Sequence, residues 1–125
     1  MVAQGVEAGG HRGIFLAKDT DIANQVGTMA LVPQVVDAVN VPVIAAGGIA
    51  DARGVAAALA LGASAAWVGT AYLFTPEAKV SAVHRAALKT AMDDSSVLTT
   101  LFSGRPARGI VNRLIRELGP MDETA

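Results

Sequence analysis

The chain has 125 residues, the size of one ordinary domain, and we expect a single domain over residues 1–125. Hydrophobic residues make up 52% and aromatic residues only 4%, so a core must be built mainly from Ala, Val, Leu and Ile, as in packed α/β layers. The net charge of -1 gives no field that would attract nucleic acid or an anionic membrane, and the lack of cysteine excludes disulfides and a thiolate nucleophile.

The N-terminal stretch MVAQGVEAGGHRG lacks the basic start and apolar core of a secretory signal peptide. Together with the lack of cysteine, this favours a cytoplasmic protein. The next stretch, Ile14 to Gly27, has no clean hydrophobic period, and we interpret it as an irregular loop. A loop of that length on a compact protein is usually functional or mobile.

Helical and strand patterns alternate in the middle of the chain. Apolar residues at helical spacing predict a helix from about Ala30 to Val39, where Pro33 is tolerable only in a first turn. The apolar run VPVIAAGG, bounded by proline and glycine, predicts a strand that is buried on both faces.

A second helix and a second strand follow directly. Asp51 is the expected N-cap of the helix and Gly62 its stop. The segment SAAWVGT then predicts another buried strand, in which Trp67 is expected to pack rather than to stack on a ligand. Strand, helix and strand with short turns form a parallel βαβ unit.

Two helices are predicted in the last third of the chain. Thr75 is a plausible N-cap for a helix over TPEAKVSAVHRAALKTAM, with Pro76 at its first position. After the polar break DDSS, a final amphipathic helix is expected from about Ala107 to Leu118, with Gly119 as its stop.

One uncharged stretch, Gly54 to Pro76, is long enough to cross a bilayer of roughly 30 Å. Its residues are mostly Ala and Gly and therefore only weakly apolar. Gly62, Gly69 and Pro76 also interrupt it where the helix and strand pattern needs breaks. The pattern therefore favours the βαβ unit over a membrane span.

Glycines follow both predicted strands. Gly47 and Gly48 come between a strand and a helix, where bare backbone can approach a ligand and free N–H groups attract a phosphate. A tight turn without a ligand is the alternative. Gly69 and Thr70 end the next strand in the same way, and the last two strands of a (β/α)8 barrel commonly share one phosphate site. The pair of strand ends favours phosphate binding.

Two histidines are candidates for chemistry. His11 lies among Gly9, Gly10 and Gly13, which leave room for a flat ligand, and histidine can serve as a base near neutrality. A surface or core-edge position is the alternative. His84 lies inside a predicted helix, and we interpret it as a surface or core-edge residue. Because the two histidines have no ligand spacing, no metal site is expected. Glu7 could orient His11 or bind a ligand, and its role stays open.

Four segments together resemble the nitronate monooxygenases, formerly called 2-nitropropane dioxygenases: QGVEAGGHRG, LVPQVVDAVNVPVIAAGGIADARGVAAALALGAS, VGTAYLFTPEA and SGRPARGIVNR. The resemblance runs from about Gln4 to Pro120. It implies an FMN enzyme on a TIM (β/α)8 barrel that oxidises nitronates or nitroalkanes with dioxygen to carbonyl compounds and nitrite. No nucleic acid or membrane partner is implied.

The resemblance also implies roles for individual residues. His11 matches the family's active-site base, which takes a proton from a neutral nitroalkane beside the flavin. The positions that match FMN contacts are Gly9, Gly10, Ala46, Gly47, Gly48, Gly69 and Thr70. FMN-dependent enoyl-ACP reductases share the EAGGH, AAGGIAD and GT patterns, so a flavin reductase is the alternative enzyme.

A TIM barrel needs about 250 residues. We therefore expect the C-terminal part of a barrel, with parallel βαβ units and C-terminal helices, in which strand edges are left unpaired and promote self-association. A non-catalytic, phosphate-binding half barrel is the second alternative.

Overall fold

The computed structural model describes residues 1–14 and 25–120, so most of the predicted irregular loop lies outside the described residues. The chain divides into two compact units: residues 1–8 with 25–72 form the first unit, and residues 9–14 with 73–120 form the second. The elements, in chain order, are β1 (Val2–Gln4), β2 (Gly10–His11), α1 (Thr28–Ala38), β3 (Ile44–Ala46), α2 (Ala52–Ala60), β4 (Ala65–Trp67), a 3-10 helix (Thr70–Phe74), α3 (Ala82–Thr90), β5 (Ser96–Thr99), β6 (Ala107–Ile110) and α4 (Arg113–Leu118).

The first unit contains a three-stranded parallel sheet in the order β1-β3-β4. Ala45 at the centre of β3 pairs with Ala3 on one side and with Ala66 on the other. Helix α2 connects β3 to β4, which confirms the predicted parallel unit. The fold is therefore α/β, as the composition indicated.

The core of the first unit consists of small and medium apolar side chains. Its buried members are Ala3, Val32, Val43, Ala45, Ile49, Ala58 and Ala63. Four of these seven are alanines, which let helix and sheet backbones approach closely. The low aromatic content predicted a core of this kind.

Local signals define the ends of α2 as predicted. The Asp51 carboxylate accepts hydrogen bonds from the backbone N–H groups of Arg53 and Gly54. The Arg53 side chain and the Gly54 N–H together hold the pKa of the Asp51 carboxyl below its usual value, so the cap is charged at neutral pH. Gly62 ends the helix with a φ of 95°, and a Cβ there would lie 2.9 Å from Cγ1 of Val36.

Helix α1 begins two residues before the predicted start. Pro33 is consequently the sixth helical residue and lies beyond the first turn in which it was expected. Having no N–H, it cannot donate to the carbonyl of Met29. Packing of the buried Val32 against the core compensates for this local cost.

Strand β4 is less buried than the sequence suggested. Ala45 in the central strand β3 is fully buried, but β4 lies at the edge of the sheet, and Trp67 in β4 is 60% exposed. The expected packing of Trp67 is therefore wrong. The uncharged stretch from Gly54 to Pro76 contains most of α2, all of β4 and the 3-10 helix. Within residues 1–14 and 25–120, no helix has both the length and the apolar character needed to cross a membrane.

The second unit contains an antiparallel sheet in the order β2-β6-β5, which the sequence did not predict. Residues 107–110 form strand β6 instead of starting the final helix, and α4 begins only at Arg113 behind the N-cap Asn112. Pairing with β5 on one side and β2 on the other outweighs the helical spacing of these residues.

Helix α3 also begins later than predicted. Its N-cap is Ser81, whose hydroxyl accepts a hydrogen bond from the His84 N–H, whereas Thr75 lies in a turn before the helix. Gly119 ends α4 with a φ of 81°, which confirms the predicted stop.

Two valines in helices test whether the assigned core stabilises the fold. Val32 on α1 is fully buried and Val83 on α3 is 81% exposed. We expect Val32→Ala to lower the free energy of unfolding by about 2 kcal/mol, because it removes apolar contacts and leaves a cavity. Val83→Ala is the matched control and should change it by less than about 0.5 kcal/mol. Urea unfolding measures both, and equal losses would contradict the assigned core.

Candidate functional site

The glycine pair after β3 has a backbone that other residues rarely adopt. Gly47 has a φ of 119° and Gly48 a φ of 66°, both in the left-handed region. The turn is also tightly packed, since a Cβ on Gly47 would lie 2.7 Å from Thr28 Oγ1 and 2.8 Å from the backbone nitrogen of Ala8. Glycine at position 47 is thus required by the fold itself.

Gly69 after β4 has a different environment. Its φ is not left-handed, and among the described residues no atom lies within 4 Å of the position that a Cβ would take. Neither backbone strain nor internal packing explains glycine at this position. The open space around it is what the close approach of a ligand would need.

The two strand ends are neighbours in the first unit. Ala46 at the end of β3 pairs with Trp67 at the end of β4, so Gly47 and Gly69 follow adjacent, parallel strands. Thr70 begins the 3-10 helix with an exposed side chain, and the N–H of Tyr72 donates to the Gly69 carbonyl. The Ala46 carbonyl already accepts the N–H of Gly5 at 3.0 Å. Glycine backbone and one hydroxyl at the carboxyl ends of two neighbouring strands suit a phosphate group.

Glu7 lies behind the glycine turn, a position that sequence reasoning did not foresee. Its Oε2 accepts hydrogen bonds from the Thr28 backbone N–H at 2.9 Å and from the Thr28 hydroxyl at 2.8 Å. Thr28 is 1% exposed and begins α1 directly after Gly27. One signal in the sequence could have indicated this contact: Gly27 at the N-cap has no side chain, so another residue must bind the first N–H groups of the helix.

His11 belongs to the second unit, where β2 pairs it with Ala107 of β6. Its Nε2 lies 2.8 Å from Oγ of Ser103, in the connection between β5 and β6, and its side chain is exposed. A hydroxyl can donate to or accept from imidazole, so Ser103 orients the ring in either tautomer. Ser103 was missed as a partner, although it begins the SGRPARG segment.

The remaining predicted positions fall in the second unit. A Cβ on Gly9 or Gly10 would meet no described atom within 4 Å, which leaves space beside His11. His84 is exposed on α3, as predicted. Within the described ranges, no cluster of three or more His, Cys, Asp or Glu side chains could hold a metal ion.

Each unit therefore contains part of the predicted site. The first brings together Ala46, Gly47, Gly48, Gly69 and Thr70 at neighbouring strand ends, and the second brings Gly9, Gly10 and His11 together with Ser103. These features define an α/β protein with glycines after two neighbouring parallel strands and a histidine in contact with a serine.

Comparison with known proteins assigns the family. The sequence model of the family described as nitronate monooxygenase matches residues 1–125, so the chain belongs to this family of oxidoreductases. A probable nitronate monooxygenase of Bacillus subtilis (strain 168) is 52% identical over 117 residues, which cover 94% of this chain and 33% of the relative. One from Staphylococcus saprophyticus is 43% identical over 123 residues, covering 98% and 35%. The chain spans about a third of these relatives.

Solved structures give a consistent result. The chain is similar to nitroalkane oxidase from Streptomyces ansochromogenes, with a TM-score of 0.88 and 47% identity over 95% of this chain and 34% of that protein. It is also similar to FabK from Thermotoga maritima, with a TM-score of 0.77 and 40% identity over 94% and 34%. Both likenesses extend over most of this chain's length.

We expect alanine to destabilise the protein at Gly47 but not at Gly69. Gly47→Ala should lower the free energy of unfolding by about 2 kcal/mol or more, because the new Cβ meets Thr28 and the backbone is left-handed. Gly69→Ala should change it by less than about 0.5 kcal/mol. Urea unfolding of both variants is the measurement. A large loss for Gly69→Ala would mean that the fold, and not a ligand, requires glycine there.

Proposed function

We propose that this chain is part of an FMN-dependent oxidoreductase that uses dioxygen to convert nitronates and nitroalkanes into carbonyl compounds and nitrite. The observation that carries the proposal is the family match over all 125 residues. The similarity to nitroalkane oxidase supports the same substrate class. We further propose that the parallel βαβ unit is one section of a TIM barrel, as the resemblance implies.

The first unit would hold the FMN phosphate. Backbone N–H groups at Gly47, Gly48 and Gly69 and the Thr70 hydroxyl are the proposed donors, with Ala46 at the end of its strand. The open surface at Gly69 supports this assignment, since it lets the phosphate reach bare backbone. When bound, FMN would supply the electron acceptor and the reactivity towards dioxygen.

The second unit would supply the base. His11 is proposed to take the proton from the carbon that carries the nitro group, and the 2.8 Å contact with Ser103 would hold its ring in one orientation. Gly9 and Gly10 leave open space for a flat group on this side. A preformed nitronate has already lost this proton and would not need the base.

A flavin reductase of enoyl thioesters is the second candidate function. The observation that favours it is the presence of EAGGH, AAGGIAD and GT patterns, which FMN-dependent enoyl-ACP reductases share. These patterns concern the cofactor more than the substrate. The structural likeness to nitroalkane oxidase, at a TM-score of 0.88, supports nitronate chemistry.

Cofactor loading and oxygen consumption test the proposal directly. The purified chain is incubated with FMN, freed of excess FMN by gel filtration and examined by visible spectroscopy. We expect a bound flavin spectrum and oxygen uptake when propyl nitronate is added. A colourless protein that retains no FMN would overturn the proposal that this chain holds the FMN phosphate. Oxidation of NADH with an enoyl thioester, without oxygen uptake on nitronate, would select the second candidate.

The role of His11 is tested by comparing two forms of one substrate. His11→Ala should reduce oxygen uptake with neutral nitroethane by about 100-fold or more, because no group then takes the carbon-bound proton. With preformed ethyl nitronate, uptake should stay within about threefold of the unmodified chain. His84→Ala removes the exposed histidine of α3 and serves as the matched control. Equal losses on both substrate forms would show that His11 does not act as the base.

A further inference from the structure

The carboxylate of Glu7 occupies the start of helix α1. The N-cap of this helix is Gly27, which has no side chain to accept a hydrogen bond from the first turn. Glu7 reaches across 21 residues of sequence and accepts the Thr28 N–H at 2.9 Å instead. A negative charge at this end of a helix is also favoured by the helix dipole. Glu7 thus binds the first N–H of the helix from a distant part of the chain.

The same carboxylate fixes the hydroxyl of Thr28. A hydroxyl has one proton, and Oγ1 lies 2.8 Å from Glu7 Oε2 but 3.3 Å from the Ala46 carbonyl. The shorter, charge-assisted bond is the stronger one, so the proton points mainly towards Glu7. Because Thr28 is 1% exposed, its oxygen has little freedom to move elsewhere.

The fixed oxygen of Thr28 forms the rear wall of the glycine turn. It lies 2.7 Å from the position that a Cβ on Gly47 would take. The aliphatic part of Glu7 lies behind the second glycine, with its Cβ 3.3 Å from the corresponding position on Gly48. One side chain therefore contacts both the start of α1 and the turn.

We propose that Glu7 is a positioning residue for the Gly47–Gly48 turn, acting through the Thr28 hydroxyl and through its own aliphatic stem. As a consequence for the ligand, which rests on the proposed function, Glu7 presets the backbone N–H groups that would hold the FMN phosphate. The hydrogen bonds from Thr28 and the helix terminus offset the negative charge of the carboxylate, so it need not repel the phosphate.

Two isosteric variants test this role without opening a cavity. Glu7→Gln keeps the shape but removes the charge, and Thr28→Val replaces the hydroxyl with a methyl group. In the ligand-free chain, backbone order parameters from NMR relaxation should fall at Gly47 and Gly48 from about 0.85 to below about 0.6 in both variants. Thr28→Ser keeps the hydroxyl and should restore the order. Glu77→Gln, an exposed glutamate of the second unit, is the control.

Ligand titration gives a second readout. The Kd for FMN should rise about tenfold in Glu7→Gln and Thr28→Val, the equivalent of one charge-assisted hydrogen bond. The Kd for riboflavin, which lacks the phosphate, should not change. An equal loss of affinity for both flavins would contradict a role at the phosphate turn.

The failure of each proposal can be told apart. If the unmodified chain binds no FMN, the proposed function fails, whereas the ligand-free order parameters still decide the role of Glu7. If order is lost only in the first turn of α1 while Gly47 and Gly48 stay rigid, Glu7 is a helix cap alone and the positioning role is overturned. If Glu7→Gln does not fold, Thr28→Val and its rescue by Thr28→Ser carry the same test.

Discussion

No side chain fits between Gly47 and Thr28, and this close approach fixes the end of the parallel sheet in the first unit. A Cβ on Gly5, just after β1, would also collide with Thr28. Three chain segments therefore converge on one buried threonine: the ends of β1 and β3 and the start of α1. Because Glu7 binds that threonine through two hydrogen bonds, the geometry of the glycine turn depends on a residue far away in sequence.

The same closeness follows from the composition of the core. Alanine contributes little apolar area when it is buried, so a core rich in alanine gains stability from many short contacts and not from large rings. Short contacts leave little tolerance for added volume, as the Cβ distance of 2.9 Å at Gly62 also indicates. The ends of the strands in such a sheet share this low tolerance for added volume.

Local signals predicted both ends of α2, although the cap signal at Thr75 was wrong for α3. Elements that depend on distant pairing were not predictable from the sequence. Asp51 and Gly62 mark the ends of α2 within a few residues of the helix itself, and the structure confirms both. Residues 107–110 have helical spacing, but they form β6 because β5 and β2 supply hydrogen-bonding partners on both sides. Their local pattern contains no information about those partners. The edge position of Trp67 depends on sheet order in the same way.

The same difference between local signals and distant contacts applies to the candidate site. Sequence patterns singled out His11 and the glycines as candidates, because histidine can act as a base and glycine lets a ligand approach the backbone. Thr28 and Ser103 become partners only in the folded chain. The structure also separates the glycines by cause. Gly47 and Gly48 are explained by left-handed backbone and tight packing, so their presence alone is no sign of a ligand.

Gly9 and Gly69 have neither a left-handed backbone nor a described neighbour within 4 Å of a Cβ position. Glycine loses more backbone freedom on folding than any other residue, so its use where the fold does not need it calls for another reason. Close approach of a ligand is such a reason. Among the glycines proposed to contact FMN, Gly9 and Gly69 therefore fit the proposal better than the pair after β3, while Gly109 in β6 is equally open without such a role.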